Sequence, residues 1–182
     1  MRLFFLLIFV TLTNHACASV DKNQAELTVV PNIEVNRYMG KWYEVARLPN
    51  RFQNMCESNV SATYAQKTNG RLSVTNLCKK SDGSITSVEG EARQASNSAQ
   101  NSKLQVRFAP AWLSWLPVWG DYWIIDLAPD YSYAVIGEPS REYLWLLSRT
   151  PKMDAALYEK ILVEVKAKGF DSSKVVKTLQ TE

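Results

Sequence analysis

The run GDYWIIDLAPDYSYAVIGEPSREYLWLLSRTP, Gly120 to Pro151, decides how the chain is read. Three segments in it, Tyr122–Leu127, Tyr133–Gly137 and Tyr143–Ser148, are rich in the β-branched and aromatic residues that favour strands. The first and last are apolar at successive positions rather than alternate ones, so both of their faces need cover. Upstream, five further strand segments are predicted: Trp42–Arg47, Asn59–Lys67, Leu72–Leu77, Ile85–Ala95 and Lys103–Phe108. Here the pattern changes. Val60, Ala62 and Tyr64 alternate with Asn59, Ser61 and Thr63, and Val106 and Phe108 alternate with Gln105 and Arg107, so one face is apolar and the other wet. Asn69-Gly70, Asp82-Gly83 and the polar stretch Ser96–Ser102 join neighbouring strands closely, as antiparallel hairpins require. Parallel crossovers would need helices between the strands, and none fit.

One helix is predicted, Asp154–Lys168, with Asp154 as N-cap and Gly169 just past its end. Leu157, Tyr158, Ile161, Leu162 and Val165 form its apolar stripe, which suits the uncovered outer face of the last strands. The fold expected is all-β: an eight-stranded antiparallel up-and-down barrel with one C-terminal helix packed outside. A β-sandwich would account for the strands, but less readily for an apolar inner face opposite a wet outer one.

The chain has 182 residues, 46% of them hydrophobic, which suits one domain with one core. Net charge is +3 and spread along the chain, so no nucleic-acid partner is expected. The start, MRLFFLLIFVTLTNHACASV, has the basic residue, short apolar run and small residues of an export signal over residues 1–18, leaving a single domain at 19–182. Two cleavage readings stay open. Ala16-Cys17-Ala18 fits removal before Ser19, whereas a lipoprotein signal would be cut before Cys17 and acylate it, although Asn14 stands where that pattern wants an aliphatic residue. Either way Cys56 and Cys78 are left together in an oxidising compartment, where a disulfide is expected. The sole histidine, His15, falls in the signal. The mature chain is therefore expected to lack histidine-based catalysis and histidine metal ligation, and no cofactor or metal is called for.

The lead-in IEVNRYMGKWYEVARLP, the segment DYSYAVIGEP and the closing YLWLLSRTP together resemble the conserved segments of the lipocalins, and of the bacterial outer-membrane lipoproteins among them. The resemblance covers almost all of Val35 to Val176. It implies a closed barrel end at Gly40, Trp42 and Arg149, with the guanidinium over the indole. If Arg149 points inward, strand parity turns Leu147, Trp145 and Tyr143 inward too and leaves Leu144 and Leu146 for the helix. The same counting gives Val60, Ala62, Tyr64, Leu72, Val74, Val106, Phe108, Tyr122, Ile124, Ala134 and Ile136 as barrel lining. Such a wall suits a fatty acid, a lysophospholipid or another lipophilic ligand, bound without chemistry.

Trp112, Trp115 and Trp119 in the loop before the sixth strand are assigned to the mouth, as a lid, a membrane contact or a subunit contact. The resemblance implies an exported, non-enzymatic lipid carrier of the cell envelope, lipid-anchored at the outer membrane or periplasmic, and monomeric or homodimeric. Two alternatives remain: a lipocalin-type enzyme using Glu44 or Asp126, or a structural envelope protein whose barrel is filled.

Overall fold

A computed structural model describes residues 25–108 and 118–181. The export signal with Cys17, and the loop residues Trp112 and Trp115, lie outside the described residues. A short helix α1 (Val35–Tyr38) leads into β1 (Gly40–Arg47), followed by β2 (Cys56–Gln66), β3 (Leu72–Lys80), β4 (Ile85–Gln94) and β5 (Lys103–Arg107). The second half supplies β6 (Gly120–Leu127), β7 (Tyr133–Gly137), β8 (Leu144–Ser148), helix α2 (Ala155–Ala167) and a two-residue strand β9 (Val176–Lys177). From β1 to β8 each strand pairs antiparallel with the next, and β8 pairs with β1, which closes the barrel, while β9 pairs with β1 alone.

Two apolar cores lie on either side of the barrel wall. Inside, Trp42, Tyr64, Val74, Ile124, Ile136 and Leu147 meet Tyr38 of α1. Outside, Ile125, Val135, Leu144 and Leu146 pack against Tyr158, Ile161 and Val165 of α2. The double-sided apolarity of the late strands thus has its cause in the helix, and each large side chain buried there contributes roughly 1.5–3 kcal/mol. Asp154 caps α2 by accepting from Leu157 N at 2.9 Å, and Gly169, at φ +91°, ends it. The turn carries Phe170 back onto the barrel over Gly137, where an added Cβ would come within 2.6 Å of the ring.

Residues 25–33 form a docked arm that passes from the outer core at Leu27 to the inner core at Ile33. Leu27 joins the outer core, Val30 N donates to Ile124 O at 3.0 Å, and Asn101 holds Ile33 by both backbone groups.

Hairpin counting alone sets Cys78 opposite a residue near Ser61, so that Cys56 would have to fold back from the preceding loop. The register changes that. Leu77 faces Ser61, but irregularities on both sides of Ser58 slip the pairing until Cys56 faces Lys80. Asn59, at φ +53°, belongs to this distortion. Cys56 therefore enters β2 itself, its Cα lies 5.6 Å from that of Cys78, and the two are disulfide-bonded.

Candidate functional site

The floor of the barrel is built around Trp42, which is fully buried. Its Nε1 donates to Tyr38 O at 2.8 Å, fixing α1 across the opening. The Arg149 guanidinium lies 3.7 Å from the centre of the indole and donates to Lys41 O at 2.9 Å and Arg37 O at 2.6 Å. One side chain thus ties the last barrel strand to both the plug helix and the first strand. Gly40 turns the chain beside it at φ +92°, a left-handed conformation that favours glycine, although a Cβ there would only touch the guanidinium at an ordinary 3.5 Å.

Above the floor three phenols meet. Tyr122 Oη is 2.9 Å from Tyr38 Oη and 2.8 Å from Tyr64 Oη. Burial pushes Tyr64 up to about 12 and lifts Tyr38 and Tyr122 well above the ordinary tyrosine range. All three stay neutral at physiological pH. The surrounding wall is aliphatic, with Val74, Ile124, Ala134, Ile136 and Leu147 buried in the inner core and Val106 and Trp145 partly so. Leu72 and Ala62 belong to the same core. Leu104 and Ala92, which the parity counting passed over, do as well; both fall on the inward face of their strands.

Several expected lining residues sit differently. Val60 is buried beside the β2 irregularity, outside the inner cluster, and its carbonyl accepts from Gln180. Tyr143 precedes β8 rather than belonging to it, with its ring stacked on Trp145 at 6.0 Å. Phe108 is 40% exposed at the rim and lies over Gly90, where an added Cβ would come within 2.6 Å of the ring. Trp119 is not over the mouth. Its ring stands 4.0 Å from the Arg93 guanidinium and 4.6 Å from that of Arg107, residues that alternate with inward-facing Ala92 and Val106, so it lies on the outer wall. Beside it, hydrogen bonds from Lys67 and then Arg71 hold the Glu91 carboxyl down to about 2.

The mouth carries a polar network. Glu44 is 2% exposed; its Oε1 accepts from Arg47 at 2.8 Å and Thr178 at 2.5 Å, and its Oε2 from Gln53 at 2.6 Å. Gln53 Oε1 in turn accepts from Trp145 Nε1 at 2.8 Å. The loop between β1 and β2 is thereby pinned to the barrel wall. Both oxygens of Glu44 are engaged, and the Asp126 carboxylate is taken by Leu127 N and the Tyr133 hydroxyl. These hydrogen bonds tie both carboxyl groups into the fold.

The tail after α2 finishes the wall. β1 and β2 pair only from Gly40–Tyr64 to Tyr43–Ser61 and then part. Into the gap runs β9 and its continuation: Thr178 N donates to Val45 O, Leu179 O accepts from Asn59 N, and Gln180 Nε2 bridges Glu44 O at 2.8 Å and Val60 O at 2.9 Å.

Comparison with known proteins places this geometry. The family described as Lipocalin-like domain matches residues 33–180. Temperature-induced lipocalin-1 of Arabidopsis thaliana is 41% identical over 158 residues, covering 86% of this chain and 84% of that protein. The outer membrane lipoprotein Blc of Vibrio cholerae is 34% identical over 178 residues, covering 97% of each. Likeness therefore extends to plant and bacterial proteins and does not single out a bacterial envelope. Insecticyanin from the tobacco hornworm has the same fold, with a TM-score of 0.67 at 20% identity over 85% of this chain and 84% of that one. With its floor of Trp42 and Arg149, its eight-stranded closure and these relatives, the chain belongs to the lipocalin family.

Proposed function

We propose that the protein binds, stores or carries fatty acids, lysophospholipids or similar amphiphiles in its barrel. The observation that carries this reading is the inner wall: a closed floor below Val74, Ile124, Ile136, Leu147 and the half-buried face of Trp145. Apolar area removed from water there would be worth about 25 cal/mol per Å², enough for an acyl tail to outweigh the cost of ordering it. The ligand's polar end is left near the mouth, where Arg47, Glu44 and Gln53 lie. Membership of the lipocalin family is consistent with the binding reading.

Export from residues 1–18, with cleavage before Cys17 or Ser19, belongs to the same proposal, as does residence in the cell envelope. No helix among the described residues is long and apolar enough to cross a membrane. Phe52, 58% exposed, and Phe108 give the rim an apolar edge that can touch a bilayer while a lipid passes, whether the protein is a monomer or a homodimer.

The test is displacement of an apolar fluorophore from folded, purified protein by fatty acids and lysophospholipids. Saturable displacement with one site per chain is expected. Absence of displacement from correctly folded protein rejects the reading and leaves the filled, structural barrel. A Trp145→Glu variant should weaken binding at least tenfold by placing a carboxylate against the acyl chain.

A further inference from the structure

One polar group on the inner wall has no partner within the fold. Asn76 lies in β3 midway between buried Val74 and Cys78, two positions from each, while its chain neighbours Thr75 and Leu77 are half-buried and exposed. It faces Ala62 across β2, a member of the inner core. This parity turns its carboxamide into the barrel. Its Oδ1 is buried and accepts no hydrogen bond, and of the four buried side-chain atoms in that condition among the described residues it is the only acceptor. A buried oxygen left in this state destabilises the fold, and native proteins keep such groups mainly where something else meets them.

A second observation stands beside it. Tyr38, Tyr64 and Tyr122 bring three hydroxyl hydrogens to two hydrogen bonds, so one hydrogen is left over. The hydroxyls can rotate to place that hydrogen on Tyr64. Tyr64 pairs with Val74, which sets Asn76 on its diagonal on the same face, about 7–8 Å away between backbone positions. The barrel thus presents an unmet acceptor and an unmet donor on one wall. A hydroxyl group answers both at a single atom, and it would serve the carboxamide by either end.

We propose that the barrel selects acyl chains bearing a hydroxyl within the chain, seated between Asn76 and Tyr64; this rests on the reading of the barrel as a lipid carrier. The anionic end stays at the mouth while the chain hydroxyl meets the wall.

The experiment compares stearic acid with hydroxystearic acids carrying the hydroxyl near the carboxyl, at mid-chain and near the methyl end, each competing with an apolar fluorophore for the full protein. At least one hydroxy acid should bind about tenfold tighter than stearic acid. Asn76→Leu should abolish that preference, keep stearic acid within about twofold, and melt no lower than the parent without ligand, because it removes the unmet oxygen. Tyr64→Phe, which can be measured if Asn76→Leu does not fold, should reduce the preference. Equal affinity for all the acids, a preference that survives in the variants, or an Asn76→Leu protein that folds but melts several degrees lower overturns the proposal. Should the parent bind neither stearic nor any hydroxystearic acid, the carrier reading itself falls and this inference with it.

Discussion

Trp42 and Arg149 act at the scale of single side chains, yet each does several things at once. The indole fills the floor, its N–H holds the end of α1, and its face receives a cation whose donors satisfy two backbone carbonyls. Lysine could supply the charge but neither the planar stack nor the fork of donors. The Tyr38, Tyr64 and Tyr122 cluster leads to a pH prediction. Burial raises the folded-state values, so the stability these phenols contribute is fully present below the unfolded tyrosine value of about 10 and is lost as pH rises beyond it. These three, and Tyr133, which burial and then the Asp126 carboxylate also push well above the ordinary range, should stay silent in phenolate absorbance during an alkaline titration until the protein unfolds, and should then ionise together with loss of near-ultraviolet dichroism. A smooth titration of all of them in the folded state would contradict the buried cluster. Tyr64 and Tyr122 were legible as wall residues from alternation. Tyr38 was not, since nothing local reveals that a one-turn helix will thrust its ring under the barrel. Asn76 carried a usable signal, its parity with Leu72 and Val74, but a polar residue in an apolar series reads as an interruption rather than a site.

Elements divide by whether their cause is local. The helix follows from periodicity and the strands from β6 to β8 from their runs of β-branched and aromatic residues, and α2 begins at the cap its sequence offers. β2 is longer than its pattern because the irregularities around Ser58 and Asn59 carry pairing down to Cys56, and a left-handed asparagine leaves no advance mark on the residues beside it. β9 is the element least legible in the sequence, a Val-Lys pair with no period, given meaning only by the gap it enters between β1 and β2. Deleting residues 176–182 should remove the bonds of Thr178, Leu179 and Gln180 to both flanking strands and cost roughly 2–4 kcal/mol in urea denaturation, at about 1 kcal/mol for each of the few bonds that count. Hydrogen exchange at the Asn59 amide, which donates to Leu179 O, should accelerate first. Unchanged stability and unchanged exchange would mean that the tail only decorates a seam already sealed.

At the scale of the molecule, a barrel with one covered side and one wet side explains the two sequence patterns with which the chain is written. Early strands alternate because their outer face meets water; late strands do not because α2 lies on them. That division makes the architecture legible in the residues alone. The network at the mouth was less readable, because side-chain hydrogen bonds such as Trp145 to Gln53 and Thr178 to Glu44 join residues far apart in the chain. The disulfide adds one more global constraint. Cys56 and Cys78 are 22 residues apart, and closing such a loop restricts the unfolded chain by about 3 kcal/mol. Reduction should therefore lower the melting temperature by several degrees while leaving the β-sheet circular dichroism of the folded state unchanged, and reoxidation should restore it. A reduced protein that melts where the oxidised one does would show that β2 and β3 need no staple.

The seam between β1 and β2 also bears on the order of events in time. β1 forms early in the chain, but one of its edges waits for β8 and the upper part of the other for a tail whose Thr178 meets Glu44 across 134 residues. Contacts of such separation are entropically slow to make, so barrel closure belongs to the last phase of folding. During that interval β1 keeps an unpaired edge, and the chain is open to capture by other strands.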